Sequence, residues 1–249
     1  MKKLKSDYQE EMRMMDYKDN NLYKNNKHMC GRFAFYDISK FYSRFNIKER
    51  LKDILPHYNI APGSNFPVVT QGERGNRAQL MKWGLVPFWA DDPKVGYRMI
   101  NARAETLKSK PSFRKPLKSQ RCLVPANGFY EWHKEDGKMP YFIKRKDNEL
   151  FAMAGIYDVW KDAEGKELKT FTIITVDSNQ LVSKIHDRMP AILKEKDEKI
   201  WLDHDLEIEK VLKVVSSYKN KDMEMYRVSK KVNKTIHDKP GLVKPEIGK

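Results

Sequence analysis

The sequence predicts an α+β fold, a single β-rich domain closing into an antiparallel sandwich or barrel with a few flanking helices. Segments of strand character follow one another through the middle of the chain: Pro67–Gln71, Gln79–Val86, Arg121–Glu135, Pro140–Lys146, Leu150–Trp160 and Lys169–Val176. Turn residues separate them, with Asp136-Gly137 as a hairpin signal and residues 162–165 as a second turn. Helical periodicity is scarce by comparison.

In chain order, Asp37 is placed to cap a short helix whose Ile38, Phe41, Tyr42 and Phe45 share one face. The strand segments come next. Two helices follow, Glu195–Asp203 and Leu206–Tyr218, the second with Ile208, Val211, Leu212 and Val215 at helical spacing. Met223–Val228 reads as a last strand. The flanks differ in texture. Residues 1–28 are rich in Lys, Asn and Asp, hold no glycine and show no apolar face, so a disordered leader or a mis-assigned start is expected there. The folded domain is expected to span 29–238, with a flexible basic tail over 239–249.

A chain of 249 residues with 40% hydrophobic residues can bury one substantial core. No run approaches the roughly 20 apolar residues of a membrane span, and no apolar segment follows the basic N-terminus as in a secretory signal. Cys30 and Cys122 lie far apart in unlike contexts, which favours free thiols in a reducing, cytoplasmic setting. No Cys/His spacing suits zinc, and neither a P-loop nor GxGxxG is present, so no metal or cofactor is expected. The net charge of +15 favours a polyanionic partner, nucleic acid first, although a solvated basic surface has the same composition. A monomer that keeps clear of membranes is expected.

Four clusters carry more polar chemistry than strands need. In Met29-Cys30-Gly31-Arg32-Phe33, Cys30 becomes N-terminal if translation starts at Met29 or the leader is removed. It then offers a thiol and an α-amine with pKa values near 8.5 and 8, a pair that turns an aldehyde into an imine and then a thiazolidine. The plain alternative is a small buried residue opening a strand. In residues 100–106, Asn101 can orient a nucleophile and Arg103 suits a phosphate, unless this is a helix cap and exposed turn. In residues 124–132, Glu131 lies between aromatics and shares a face with Phe129, which suits a general acid/base. In residues 184–190, His186 beside Asp187 and Arg188 is the best proton-transfer candidate, or else a surface histidine. Softer features face nucleic acid. Trp83, Phe88 and Trp89, followed by Arg98, Arg103, Arg114 and Lys115, could stack on bases and hold phosphates, or could fill the core.

The motifs MCGRF (29–33), YNIAPG (58–63), WGLVPFW (83–89), INARAET (100–106), CLVPANGFYEW (122–132) and IHDRMP (185–190) occur together and in order. In that combination the chain resembles the SRAP (SOS response-associated peptidase) family over nearly all of residues 29–235. The resemblance implies that Cys30 is the nucleophile and crosslinking residue, that Asn101 positions its α-amine, and that Glu131 is the general acid/base. His186 would assist opening of the deoxyribose ring, and Arg32, Asn59, Trp83 and Arg103 would line the DNA site. It implies single-stranded DNA containing abasic sites as substrate, a thiazolidine DNA–protein crosslink as product, and no cofactor. One departure matters. The family pattern has Cys directly after the initiator Met, whereas 28 residues precede Met29 here. Either the start lies too far upstream or the leader is removed, the family's peptidase label suggesting attack of the Cys30 thiol on the preceding peptide bond. Two other readings stand beside this one: a thiol peptidase acting in trans through Cys30 and His186, and a non-enzymatic single-stranded nucleic-acid-binding module.

Overall fold

The computed structural model describes residues 31–133 and 138–246. The hairpin signal at Asp136-Gly137, the leader and Cys30 lie outside the described residues. The strands are β1 (Arg32–Phe35), β2 (His57–Ile60), β3 (Asn65–Gly72), β4 (Gly75–Trp83), β5 (Asn101–Arg103), β6 (Arg121–Ala126) and β7 (Gly128–His133). They continue as β8 (Met139–Arg145), β9 (Phe151–Lys161), β10 (Glu167–Asp177), β11 (Arg188–Pro190), β12 (Ile192–Leu193) and β13 (Met223–Arg227). The helices are α1 (Ile38–Arg44), α2 (Pro111–Ser119), α3 (Glu195–Leu202) and α4 (Ile208–Leu212).

The β-rich α+β expectation holds, and the barrel is literal. Strands β4, β3, β6, β9 and β10 pair in that order, and β10 returns to β4 through the parallel pairs Thr170–Lys82 and Phe171–Trp83, closing a five-stranded ring. A closed ring leaves no unpaired edge between its members. Beyond Ile173 the strands β9 and β10 part, and the segment of β11 and β12 enters between them, with Thr175 opposite Pro190 and Met153 opposite Ile192. A second sheet, in the order β13-β8-β7-β1-β2, packs on the barrel.

The sequence run Arg121–Glu135 divides between the two sheets, which periodicity could not show. Ala126 closes β6 in the barrel and Gly128 opens β7 in the second sheet. Asn127 makes the corner: its amide oxygen accepts from the N–H groups of Tyr36 and Asp37 at 2.7 and 3.1 Å, and its own N–H donates to Ala34. Gly128 is required beside it, because a Cβ there would meet the Phe142 ring at 2.3 Å. Along β7 the side chains alternate as a strand dictates. Phe129 joins the main core with Phe33, Phe66 and Trp83, whereas Tyr130 joins a smaller cluster with Ala34, Phe142, Val228, Val232 and Leu242.

Several local expectations change. Asp37 stands before α1 but makes no cap bond; its carboxylate accepts from the Ser39 hydroxyl at 2.8 Å instead. The helix expected over 206–218 stops at Leu212, because β-branched Val214 and Val215 and the Ser216-Ser217 pair propagate a helix poorly. There the backbone tightens to three-residue bonds, Val214 N–H to Val211 and Val215 N–H to Leu212. Helix α2, not anticipated because of its two prolines, begins with Pro111 in the first turn, where a missing N–H costs nothing. The C-terminal segment packs where fraying is expected: Leu242 is buried, Tyr226 donates its hydroxyl to the Val243 carbonyl at 2.8 Å, and Glu246 N–H reaches Arg227.

Candidate active site

The proton-handling candidates meet between the two sheets. Glu131 projects from β7 on the same face as Phe129, toward the barrel, and is only 4% exposed. His186 arrives from the loop joining β10 to β11. Its Nε2 lies 3.7 Å from Oε1 of Glu131, and both side chains are almost enclosed. Residues 55 positions apart in sequence thus meet in a nearly enclosed site, where charges interact more strongly than they do in water. The other ring nitrogen, Nδ1, is 3.1 Å from the backbone N of Arg188 and 2.9 Å from Oδ1 of Asp187.

Strand β5 extends the line of β4 along β10, pairing Asn101 with Ile173 and Arg103 with Thr175. The short strand turns Ala102 inward and leaves Asn101 half-buried and Arg103 exposed on the opposite face. The helix-cap alternative for this motif thus fails at Asn101, which is in a strand, whereas exposed Arg103 leads into a single 3-10 turn over Ala104–Thr106 and makes no side-chain cap bond. Glu105 in that turn reaches Arg188 in a two-point ion pair, at 2.6 and 2.9 Å, which joins the INARAET motif to the IHDRMP motif. The hydrogen bond from Arg188 holds the Glu105 carboxyl below its ordinary pKa. This pair was not singled out from the sequence; the acidic and basic residues inside two motifs of the same site were its only signal.

Arg32 is close to Glu131 in topology, since β1 pairs Arg32 with Tyr130. Its guanidinium donates to Oδ1 of Asn59 at 2.9 Å and to the Val232 carbonyl at 3.0 Å. Asn59 is fully buried, and its amide donates to the carbonyls of Val232, Lys234 and His237 at 3.1, 3.2 and 2.8 Å. Asn59 thus ties down the C-terminal segment and does not present its side chain to a ligand. Trp83 is likewise a core residue, 1% exposed, packed edge-on to Phe33 at 5.1 Å and donating Nε1–H to the Ile100 carbonyl at 2.9 Å. Both differ from a direct DNA-contact role for the same reason: their polar atoms are already spent inside the fold.

Trp89 and Phe88 do reach the surface, at 53% and 49% exposure. They line one hollow with Arg114, Lys115 and Lys118 of α2, and the Lys115 ammonium sits 3.9 Å from the Phe88 ring centre. This patch is anchored elsewhere than the Glu131–His186 pair. Phe88 N–H is held by Asp158, which pairs with Thr170, whereas Arg188 pairs with Asp177. Seven residues of extended β10 separate those levels, roughly 23 Å at about 3.3 Å per residue.

Cys122 is no rival nucleophile. It is buried under Trp201, and desolvation pushes its thiol pKa far up. Among the described residues no group of His, Cys, Asp or Glu is placed to hold a metal ion, and no helix is long and apolar enough to cross a membrane.

Comparison with known proteins agrees with this architecture. A crystal structure of a protein from Bacteroides thetaiotaomicron superposes with a TM-score of 0.81 at 31% identity, covering 88% of this chain and all of that one. The chain is 45% identical over 221 residues to abasic site processing protein YoqW of Bacillus subtilis, covering 86% of this chain and 99% of the relative. It is 39% identical over 229 residues to abasic site processing protein HMCES of Gallus gallus, covering 78% and 67%. The sequence profile described as SOS response associated peptidase (SRAP) matches residues 29–235. The chain belongs to the SRAP family.

Proposed function

We propose that this protein processes abasic sites in single-stranded DNA, and that it does so by forming a covalent crosslink through Cys30 once that cysteine is N-terminal. The observation that carries the reading is the enclosed Glu131–His186 pair, 3.7 Å apart, with Glu131 on the strand that pairs with β1. Cys30 precedes Arg32 by two residues, and Arg32 is paired with Tyr130, the neighbour of Glu131. The names of the relatives support abasic-site handling.

The chemistry balances without an external reagent. The open-chain deoxyribose presents an aldehyde at C1′. The free α-amine of Cys30 adds to it, and the carbinolamine loses water as Glu131 supplies a proton to the departing hydroxyl; the N–H proton of the resulting iminium returns to the Glu131 carboxylate, leaving an imine. The thiol sulfur then bonds to the imine carbon while the thiol proton passes to the nitrogen, closing a thiazolidine ring. His186 assists ring opening by moving a proton between the ring oxygen and the C1′ hydroxyl. Asn101 orients the amine, and exposed Arg103 takes a neighbouring phosphate. The Trp89–Arg114 patch holds DNA further along by stacking and charge. The working form is a cytoplasmic monomer. Where a leader is attached, self-removal through the Cys30 thiol would supply both the family's peptidase label and the free amine.

The test is incubation of protein beginning at Cys30 with single-stranded DNA carrying one abasic site. A heat- and SDS-stable adduct that disappears in Cys30→Ala supports the reading. Salt-sensitive binding with no adduct would replace it with a binding module, and cleavage of other polypeptides in trans with indifference to abasic DNA would replace it with a peptidase.

A further inference from the structure

Arg188 stands two residues from His186 and is buried. Its guanidinium grips Glu105 at 2.6 and 2.9 Å, donates to the Thr175 carbonyl at 2.8 Å and pairs with Asp177. Those acceptors lie on two separate pieces of chain, the turn after β5 and the end of β10. A side chain held from both sides immobilises the backbone that bears it. The N–H of that backbone points at Nδ1 of His186, 3.1 Å away.

Nδ1 also lies 2.9 Å from Oδ1 of Asp187, and it cannot accept from one neighbour while donating to the other. Exposure decides between them. The Asp187 side chain is 82% exposed, so water serves its carboxylate, whereas the Arg188 N–H opens a buried strand and loses a partner if Nδ1 carries a proton. In the neutral ring Nδ1 is therefore the acceptor, and the proton resides on Nε2, the nitrogen facing Glu131.

We propose that Arg188 is a positioning residue: clamped by Glu105, Asp177 and Thr175, it fixes the Nε2–H tautomer of His186 and so aims the imidazole proton at Glu131. Its relevance to reaction rests on the proposed role of His186 and Glu131 in proton transfer. The same clamp anchors the turn that follows Asn101 and Arg103, so one guanidinium sets both sides of the site.

The tautomer can be read without DNA. In the full chain labelled with ¹⁵N at histidine, above the pH at which His186 is neutral, Nδ1 should resonate as an unprotonated acceptor and Nε2 as N–H. Glu105→Ala removes two of the guanidinium's hydrogen bonds from a half-exposed residue and should shift these signals toward a mixture of tautomers. Arg188→Lys, which keeps charge but loses the planar fork, should do the same. Where Arg188→Lys does not fold, Glu105→Ala decides. A proton on Nδ1 in the unsubstituted protein, or an unchanged Nε2–H tautomer in Glu105→Ala, overturns the proposal. Absence of adduct with abasic DNA would remove the proposed function instead and leave the tautomer assignment standing.

Discussion

The imidazole Nε2 of His186 and the carboxylate Oε1 of Glu131 face each other at 3.7 Å, and neither side chain is open to solvent. The distance exceeds a direct hydrogen bond, leaving the two groups to exchange a proton through substrate or one water. Each comes from a different sheet system: Glu131 from the second sheet, His186 from the loop that leads from β10 into β11. The pair exists only because the sheets pack.

Glu131→Gln keeps the shape of the side chain and removes its proton transfer. Crosslinking should slow by about 10²–10⁴-fold, with affinity for single-stranded DNA nearly unchanged. Single-turnover rates at saturating DNA, set beside equilibrium binding, check this. A normal rate with weakened binding would assign Glu131 to architecture.

An acylated nitrogen on Cys30 cannot condense with an aldehyde, and a thiol alone yields only a labile hemithioacetal. Full-length protein, confirmed by mass to retain residues 1–29, should bind single-stranded DNA and form no stable adduct. Protein beginning at Cys30 should form it. Stable adduct on the verified full-length chain would require a different nucleophile.

Trp89→Ala should weaken single-stranded DNA binding by about 1–3 kcal/mol, the range for one base stacked on an aromatic side chain. Because the Trp89 patch is anchored far along β10 from His186, the adduct-forming rate at saturating DNA should stay near that of the unsubstituted protein. Fluorescence anisotropy and single-turnover assays separate the two quantities.

Asn59→Ala should lower stability by about 2–4 kcal/mol, since the Val232, Lys234 and His237 carbonyls lose the Asn59 amide and Arg32 loses its Oδ1 acceptor. Denaturant unfolding measures the loss. Equal stability would mean that the C-terminal segment is held by its apolar contacts alone.

Glu105 gives a pH signature. Its folded pKa lies below the unfolded value because Arg188 hydrogen-bonds the carboxylate, so its contribution is present above the unfolded value near 4.3 and is lost as pH falls through the folded one. Half of the side chain is exposed, so solvent screening keeps the contribution small. Between about pH 5 and pH 3 the unsubstituted protein should lose more stability than Glu105→Gln, by thermal melts in matched buffers. Parallel losses would show that the ion pair adds nothing.

The β-rich class, most strands from β3 to β13, the helix over α3 and the membership of Glu131 and His186 in polar motifs are legible along the chain. Such features are local: side-chain alternation, turn residues and helical spacing act over a few residues, and neighbouring residues suffice to reveal them. Which polar residues meet depends on how the strands pair and the sheets pack. Asn59 and Trp83 sit in family motifs, yet one secures carbonyls some 175 residues away and the other fills the core between the sheets. Arg188 and Glu105 are 83 residues apart and meet because β5 and β11 both pair with β10. The corner at Asn127, which sends one apolar run into two sheets, depends on the N–H groups of Tyr36 and Asp37, about 90 residues upstream. Contacts of that kind leave no period in the sequence, because their geometry is set by strand pairing and barrel closure rather than by neighbours along the chain.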